Sequence, residues 1–257
     1  MKPVAVITGA SAGIGAELAR VFARNGHALV LVARRRERLE ALAAEIAATG
    51  APEPVVLALD LAEPGAASRI RQTLDAQGLE AQYLVNNAGF GVVGRLKTVD
   101  RDELLGIVDV NVRALTDLTR VFVDSLVRTR GGLLNVGSVA GFVPGPSSAT
   151  YYASKAYVVS FTEALHYELR PKGVRVSVLC PGPVATEFQV RAGIPDLNIP
   201  WYLDEPAARV AELGYRGLMR GRRVIVAGLG KRILVALLRI LPNALLLHLV
   251  EARQRGR

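Results

Sequence analysis

Short unbroken apolar runs, each followed by a helical pattern, constrain this chain more than any other feature. Val4-Ala5-Val6-Ile7, Ala28 to Val32, Val55 to Leu59 and Tyr83-Leu84-Val85 are such runs, and Leu133 to Val136 and Val174 to Leu179 read as two further strands. A run without polar alternation suits a strand buried on both faces of a parallel sheet. Helices are expected over about Ala16 to Asn25, Arg36 to Ala48, Ala66 to Gln77 and Asp102 to about Arg128. Another carries Tyr151 and Lys155 and ends near Pro171. A helix over 207–220 and a last strand at Val224-Ile225-Val226 complete the pattern. The alternation predicts an α/β fold, a doubly wound parallel sheet, with no repeat, low-complexity stretch or interdomain linker.

Composition agrees with one large domain of this kind. The chain has 257 residues, 51% hydrophobic and 21% charged, which is globular rather than disordered. Its single cysteine, Cys180, excludes an internal disulfide and argues against a structural metal site. The start, Met1-Lys2-Pro3-Val4, runs straight into a strand and leaves no room for a signal peptide, so a cytoplasmic location is expected. The net charge of +9 could serve nucleic acid, an anionic membrane or an acidic ligand. The basic clusters at 34–36 and 220–223 are not interleaved with aromatics as a nucleic-acid platform would be, so no nucleic-acid partner is expected.

The candidate chemistry lies at the ends of the strands. The first strand runs into Thr8-Gly9-Ala10-Ser11-Ala12-Gly13-Ile14-Gly15 and then a helix, an arrangement that brings backbone N–H groups to a pyrophosphate. The spacing is G-x-x-x-G-x-G, which could also be a tight turn with a packing glycine. After the second strand, an acid would bind a ribose 2′-hydroxyl, but the chain has Ala33 and Arg34, and Arg34 suits a 2′-phosphate. NADP(H) is therefore expected over NAD(H). Asp60-Leu61 ends the third strand, where the acid could accept from an adenine amine or cap the next helix. Asn86-Asn87-Ala88-Gly89 ends the fourth, with amides to cross-link strands and small residues to admit a flat ligand. Asn111 lies inside a predicted helix, where asparagine is mildly unfavourable, so it has either a functional role or a buried structural one. Ser138 comes just after the fifth strand. Tyr151 and Lys155 stand four apart and share one helix face, where an ammonium close to a phenol would lower the phenol pKa.

With these motifs in this order, the chain resembles the short-chain dehydrogenase/reductase family of the 250-residue type, over roughly residues 3–226. The resemblance implies a Rossmann-like seven-stranded sheet and a nicotinamide cofactor. It implies a catalytic set of Asn111, Ser138, Tyr151 and Lys155. Tyr151 would be the proton donor in carbonyl reduction, and Lys155 would lower its pKa and hold the nicotinamide ribose. Ser138 would hydrogen-bond the substrate oxygen, and Asn111 would place a water behind Lys155. The cofactor would lie along Gly9, Ser11, Gly13, Ile14, Gly15, Arg34, Asp60, Leu61, Asn87, Ala88, Gly89, Tyr151 and Lys155. Pro181, Gly182, Val184 and Thr186 would line the nicotinamide.

The segment 183–204 lies where the family keeps its substrate lid. It holds Phe188, Ile194, Ile199, Trp201, Tyr202 and Leu203, while Phe90, Phe142 and Val143 come directly after two of the active-edge motifs. Ser138, Phe90, Phe142 and Phe188 are the candidate substrate contacts, and they point to a small lipophilic alcohol or carbonyl. Arg191 in this lid could bind an anion or be an exposed arginine. Residues 1–230 are expected as the catalytic domain and 231–257 as an apolar and basic helical extension. That extension could lie on anionic lipid, cover the cleft or enter an oligomer interface. A homo-oligomer, dimer or tetramer, is expected from the resemblance, through helices over about 102–128 and 151–170. The expectation is an NADP(H)-dependent oxidoreductase. The alternatives are a nucleotide-sensing or membrane-recruited binding protein without chemistry, and an enzyme that epimerises or dehydrates.

Overall fold

Strand β1 (Lys2–Thr8) buries both of its faces. Ala5 and Ile7 enter one layer with Leu18, Phe22 and Leu39, while Val4 and Val6 enter the other with Ile70 and Phe122. That two-sided burial is what an unbroken apolar run requires. The computed structural model describes residues 1–193 and 205–228. In it β1 pairs in parallel with β2 (Ala28–Ala33) and with β4 (Leu79–Asn86). Strands β3 (Val55–Ala58), β5 (Gly132–Val136), β6 (Arg175–Cys180) and β7 (Val224–Val226) complete a parallel seven-stranded sheet of order β3-β2-β1-β4-β5-β6-β7. The order reverses between β1 and β4. This opens a crevice at their carboxyl ends, the place where such sheets bind ligands.

The helices are α1 (Gly13–Arg24), α2 (Arg36–Ala48), α3 (Ala66–Ala76), α4 (Arg101–Val108), α5 (Leu115–Thr129), α6 (Ala149–Leu169), α7 (Glu187–Arg191) and α8 (Ala207–Met219). Helices α1, α2 and α8 pack on one face of the sheet, and α3, α5 and α6 on the other. Phe22 and Phe122 are fully buried, one in each layer. Each such side chain contributes about 1.5–3 kcal/mol by leaving water.

The structure refines the sequence pattern at several elements, among them α1, which begins at Gly13 rather than Ala16. β4 starts at Leu79, before the apolar Tyr83-Leu84-Val85, because its first residues pair with Lys2 and Pro3 at the edge of β1. The expected single helix over 102–128 is broken into α4 and α5 by a π-helical turn, Asp109–Ala114. Helix α6 ends at Leu169, and Pro171 sits in a 3-10 turn closed by Gly173 at φ 78°. Among the described residues no helix is long and apolar enough to cross a membrane. The lid residues Ile194, Ile199, Trp201, Tyr202 and Leu203, and the extension 231–257, lie outside the described residues.

At the amino-terminal end of β2, His27 is enclosed by aromatic rings. Its centroid lies 5.3 Å from Phe22 and 4.9 Å from Tyr83, and its Nε2 is 3.0 Å from the Tyr215 hydroxyl. Burial, reinforced by the nearby Arg175 guanidinium, holds its pKa below the ordinary histidine value. As pH falls, the unfolded chain therefore takes up the proton before the native one. The stability this residue contributes is complete above its unfolded pKa of about 6.5 and is lost as pH falls toward the depressed native value. Urea unfolding at pH 7 and pH 5 (roughly either side of that value) should show a larger acid loss for the wild type than for His27→Gln. Equal losses would place the acid sensitivity elsewhere.

Candidate active site

The site begins with a hydroxyl. Thr8, at the end of β1, donates to Val85 O at 3.1 Å and accepts from the N–H groups of Asn87 and Ala88 at 3.0 and 3.1 Å. Asn87 returns its amide to Thr8 O and Gly9 O, at 3.0 and 3.2 Å. The glycine turn is thereby locked against the end of β4. The turn must be bare: Gly9 has φ 66°, and a Cβ on Gly15 would stand 2.2 Å from Gly9 O. The first turn of α1 has neither a side-chain cap nor an acid, so its N–H groups are free for an anion. Ile14 packs against the core beside it. These features fit a pyrophosphate.

At the end of β2, the arginines divide their work. Arg34 lies 3.7 Å from Asp60, whose other oxygen accepts from Ala62 N at 2.9 Å. Asp60 thus closes the turn that follows it and does not cap the next helix, which begins at Ala66 after Gly65 without a side-chain cap. Leu61 is buried. Arg35 donates to Ser11 Oγ in the glycine turn through Nε at 3.3 Å and Nη2 at 3.1 Å. Nothing in the sequence singles out Arg35, because three consecutive arginines give no sign of which one the strand twist aims at the turn.

At the end of β5, Ser138 accepts from Ala140 N at 3.1 Å and hydrogen-bonds the Tyr151 hydroxyl. Tyr151 is enclosed by Phe188, with ring centroids 5.5 Å apart, and by the backbone of Gly91, where a Cβ would lie 2.7 Å from Tyr151 Cδ2. Lys155, one turn on, donates from Nζ to Val136 O at 2.9 Å and is 5.8 Å from the Tyr151 ring centroid. The expected lowering of the tyrosine by the lysine is reversed here. Burial pushes the Tyr151 phenol up to about 12, against the hydrogen bond from Ser138, and burial brings Lys155 down to about 8. Desolvation outweighs the attraction because the ammonium is turned toward a carbonyl rather than the phenol oxygen.

Asn111 sits in the π-helical turn, a form often found at functional positions. Its Nδ2 donates to Phe90 O at 2.9 Å and to Ser154 Oγ at 3.0 Å, and its Oδ1 accepts from Phe90 N at 3.1 Å. Ser154 in turn donates to Tyr151 O at 2.7 Å. The turn thus fixes both the strand end and the helix that carries Tyr151. A Cβ on Gly89 would lie 2.9 Å from Asn111 Oδ1 and 3.5 Å from Lys155 Nζ, so Gly89, Asn111 and Lys155 converge. Ala88 packs against the core layer of α3 and α5.

The last wall comes from β6. Pro181 O accepts from Val139 N at 3.0 Å, Val184 is buried, and Thr186 Cγ2 lies 3.2 Å from the Cβ position of Gly13. Gly182 lies between them in the loop that leaves β6. The aromatic candidates separate. Phe188 faces Tyr151, whereas Phe90 is buried with the Arg191 guanidinium 4.0 Å over its ring. Arg191 itself is exposed, as one of its two expected roles required, with its guanidinium laid over Phe90. Phe142 packs against the cluster of Val158, Val159 and Cys180.

A family model described as short chain dehydrogenase matches residues 3–194. Sulfoacetaldehyde reductase 2 of Chromohalobacter salexigens is 37% identical over 197 residues, covering 75% of this chain and 77% of that protein. A short-chain dehydrogenase from Sphingobium yanoikuyae, solved in complex with NADPH, superposes with a TM-score of 0.80 at 34% identity over 88% of each chain. A short-chain dehydrogenase/reductase from Burkholderia phymatum, solved with NAD, superposes with a TM-score of 0.80 at 28% identity, covering 91% of this chain and 92% of that one. The chain belongs to the short-chain dehydrogenase/reductase family, and its chemistry is oxidoreduction between an alcohol and a carbonyl.

The close approach of Gly91 to the tyrosine can be tested directly. Gly91→Ala should push the Tyr151 ring aside, leave the melting temperature nearly unchanged and cut turnover by about a hundredfold. Unchanged turnover would show that the ring has room to spare.

Proposed function

We propose that this protein is an NADP(H)-dependent reductase of a small lipophilic carbonyl compound, with Tyr151 as the acid. The observation that carries the reading is the half-buried Tyr151, its hydroxyl hydrogen-bonded to Ser138 at the carboxyl edge of the sheet, with Lys155 one turn away. A phenol raised to about 12 keeps its proton at neutral pH, the form a donor needs. A bound nicotinamide supplies the hydride. Ser138 Oγ and Tyr151 Oη hold the substrate oxygen as charge develops on it, and Tyr151 releases its proton to that oxygen. Lys155 then stabilises the phenolate left behind, and at that stage the Coulombic attraction expected from the sequence takes effect. Asn111 holds Phe90 and, through Ser154, the Tyr151 turn, which keeps acid and substrate in register.

Preference for NADP(H) is supported by the absence of an acid at the end of β2 and by the arginines gathered there. The Sphingobium neighbour with NADPH agrees with it, and the Burkholderia neighbour with NAD is the competing precedent. A lipophilic substrate is supported by Phe188 beside Tyr151. Tyr151→Phe should cut NADPH oxidation on a panel of aldehydes and ketones of graded chain length by about a hundredfold or more while NADPH still binds. Wild-type turnover by that variant would remove Tyr151 from the mechanism.

We further propose residues 1–230 as the catalytic domain, in the cytoplasm, with 231–257 reaching anionic lipid. Self-association is supported by the exposed apolar side chains of Leu105, Val108 and Tyr157 on α4 and α6. Sedimentation with anionic vesicles and light scattering of the full chain, against a chain ending at Gly230, test both. The full chain should pellet and the shortened one should not, while both remain oligomeric. Equal pelleting would refute the lipid contact, and a monomeric mass for both would refute the association.

A further inference from the structure

Glu187 opens α7, one residue before Phe188. Its carboxylate reaches Arg35 Nη1 at 2.7 Å with one oxygen and Arg38 Nη1 with the other. Arg35 is at the same time the residue that donates twice to Ser11 in the glycine turn. One carboxylate therefore joins three elements that border the proposed cofactor groove: the glycine turn, the start of α2 and the segment leaving β6. The segment is seated on the turn, because Thr186 lies against the Cβ position of Gly13. Both arginines hold the carboxyl below its ordinary range, so it is an anion throughout the physiological pH range.

Two guanidinium groups converging on one oxyanion, beside a serine hydroxyl, make an anion cradle of the sort that binds phosphate in a forked geometry. In this protein the cradle closes on the chain's own carboxylate. We infer that Glu187 is a phosphate surrogate: it holds the Arg35–Arg38 pair that the 2′-phosphate of NADP(H) takes, and so tunes the discrimination between NADP(H) and NAD(H). The inference rests on the NADP(H) reading above and deepens it. A carboxylate and a phosphate cannot share the pair without like-charge repulsion, so the phosphate must displace Glu187. The phosphate wins because it carries about −1.5 to −2 charges and three acceptor oxygens against a single negative charge. The exchange remains easy because Glu187 is exposed: its side chain is 52% accessible, and Arg35 and Arg38 are 43% and 49% accessible. Exposed pairs are weak. A cofactor without the 2′-phosphate does not compete for the pair and leaves Glu187 where it is.

The test uses binding rather than turnover. Adenosine 2′,5′-bisphosphate and adenosine 5′-monophosphate carry the adenine ends of NADP(H) and NAD(H) without the nicotinamide. Each is titrated calorimetrically into the full-length wild type and into Glu187→Gln, at one ionic strength. The variant should bind the bisphosphate about fivefold more tightly, the worth of two exposed ion pairs, and the monophosphate nearly as before. A wild type that prefers the bisphosphate, with an unchanged or smaller preference in the variant, overturns the role of Glu187 and leaves the NADP(H) reading standing. An equal gain for both ligands also overturns it, since that is a general charge effect rather than competition for the pair. A wild type that binds the two ligands equally refutes the NADP(H) reading, and this inference with it.

Discussion

The rest of the site depends on the tie that Thr8 makes between the ends of β1 and β4. A single buried hydroxyl satisfies one carbonyl and two N–H groups, and Asn87 answers with its amide to Thr8 and Gly9. These strands flank the point where the sheet reverses its winding. The crevice exists because α-helical connections leave there in opposite directions, and the hydroxyl sets how far its two lips stand apart. Backbone groups at that depth must find partners within the protein. The Thr8 hydroxyl and the Asn87 amide supply them without filling the crevice, which a larger side chain in the turn would do.

A second polar network extends the same logic across the sheet. Asn86 donates to Asn135 Oδ1 at 2.9 Å and to Thr119 Oγ1 at 3.2 Å, and Asn135 donates to Thr162 Oγ1 at 2.9 Å. These buried amides register β4 against β5 and both against α5 and α6. The helix carrying Tyr151 is thus positioned by hydrogen bonds of fixed direction as well as by apolar packing, which alone tolerates small slips. Around Tyr151 and Lys155 the balance is different. Lys155 is buried and Tyr151 half-buried, and desolvation favours the neutral form of each more strongly than their separation allows either to charge the other.

Much of this was legible in the chain because it is local. The apolar runs, the glycine turn at 9–15 and the four-residue spacing of Tyr151 and Lys155 are properties of consecutive residues. Even the cross-linking role of the amides after the fourth strand could be anticipated from their type and place. What could not be read is which partner each polar group chose. Arg34 and Arg35 are adjacent and chemically identical, yet one turns to Asp60 and the other to Ser11. Phe90 and Phe188 are equally apolar in sequence, yet Phe188 meets the Tyr151 ring while Phe90 meets the Arg191 guanidinium. Glu187 carries no signal at all, because the arginines it meets are far away in the chain.

The sequence by itself determined the winding of the sheet, the family and the shared helix face of Tyr151 and Lys155, since period, glycine spacing and helical phase act over a few residues. The tertiary structure alone decided that Asn111 lies in a π-helical turn rather than in a continuous helix. It also decided that Lys155 faces a carbonyl and that a carboxylate of α7 closes on two arginines at the start of α2. Those outcomes depend on distances between segments remote in the chain and on how much water each group loses. Neither quantity exists until the layers have packed.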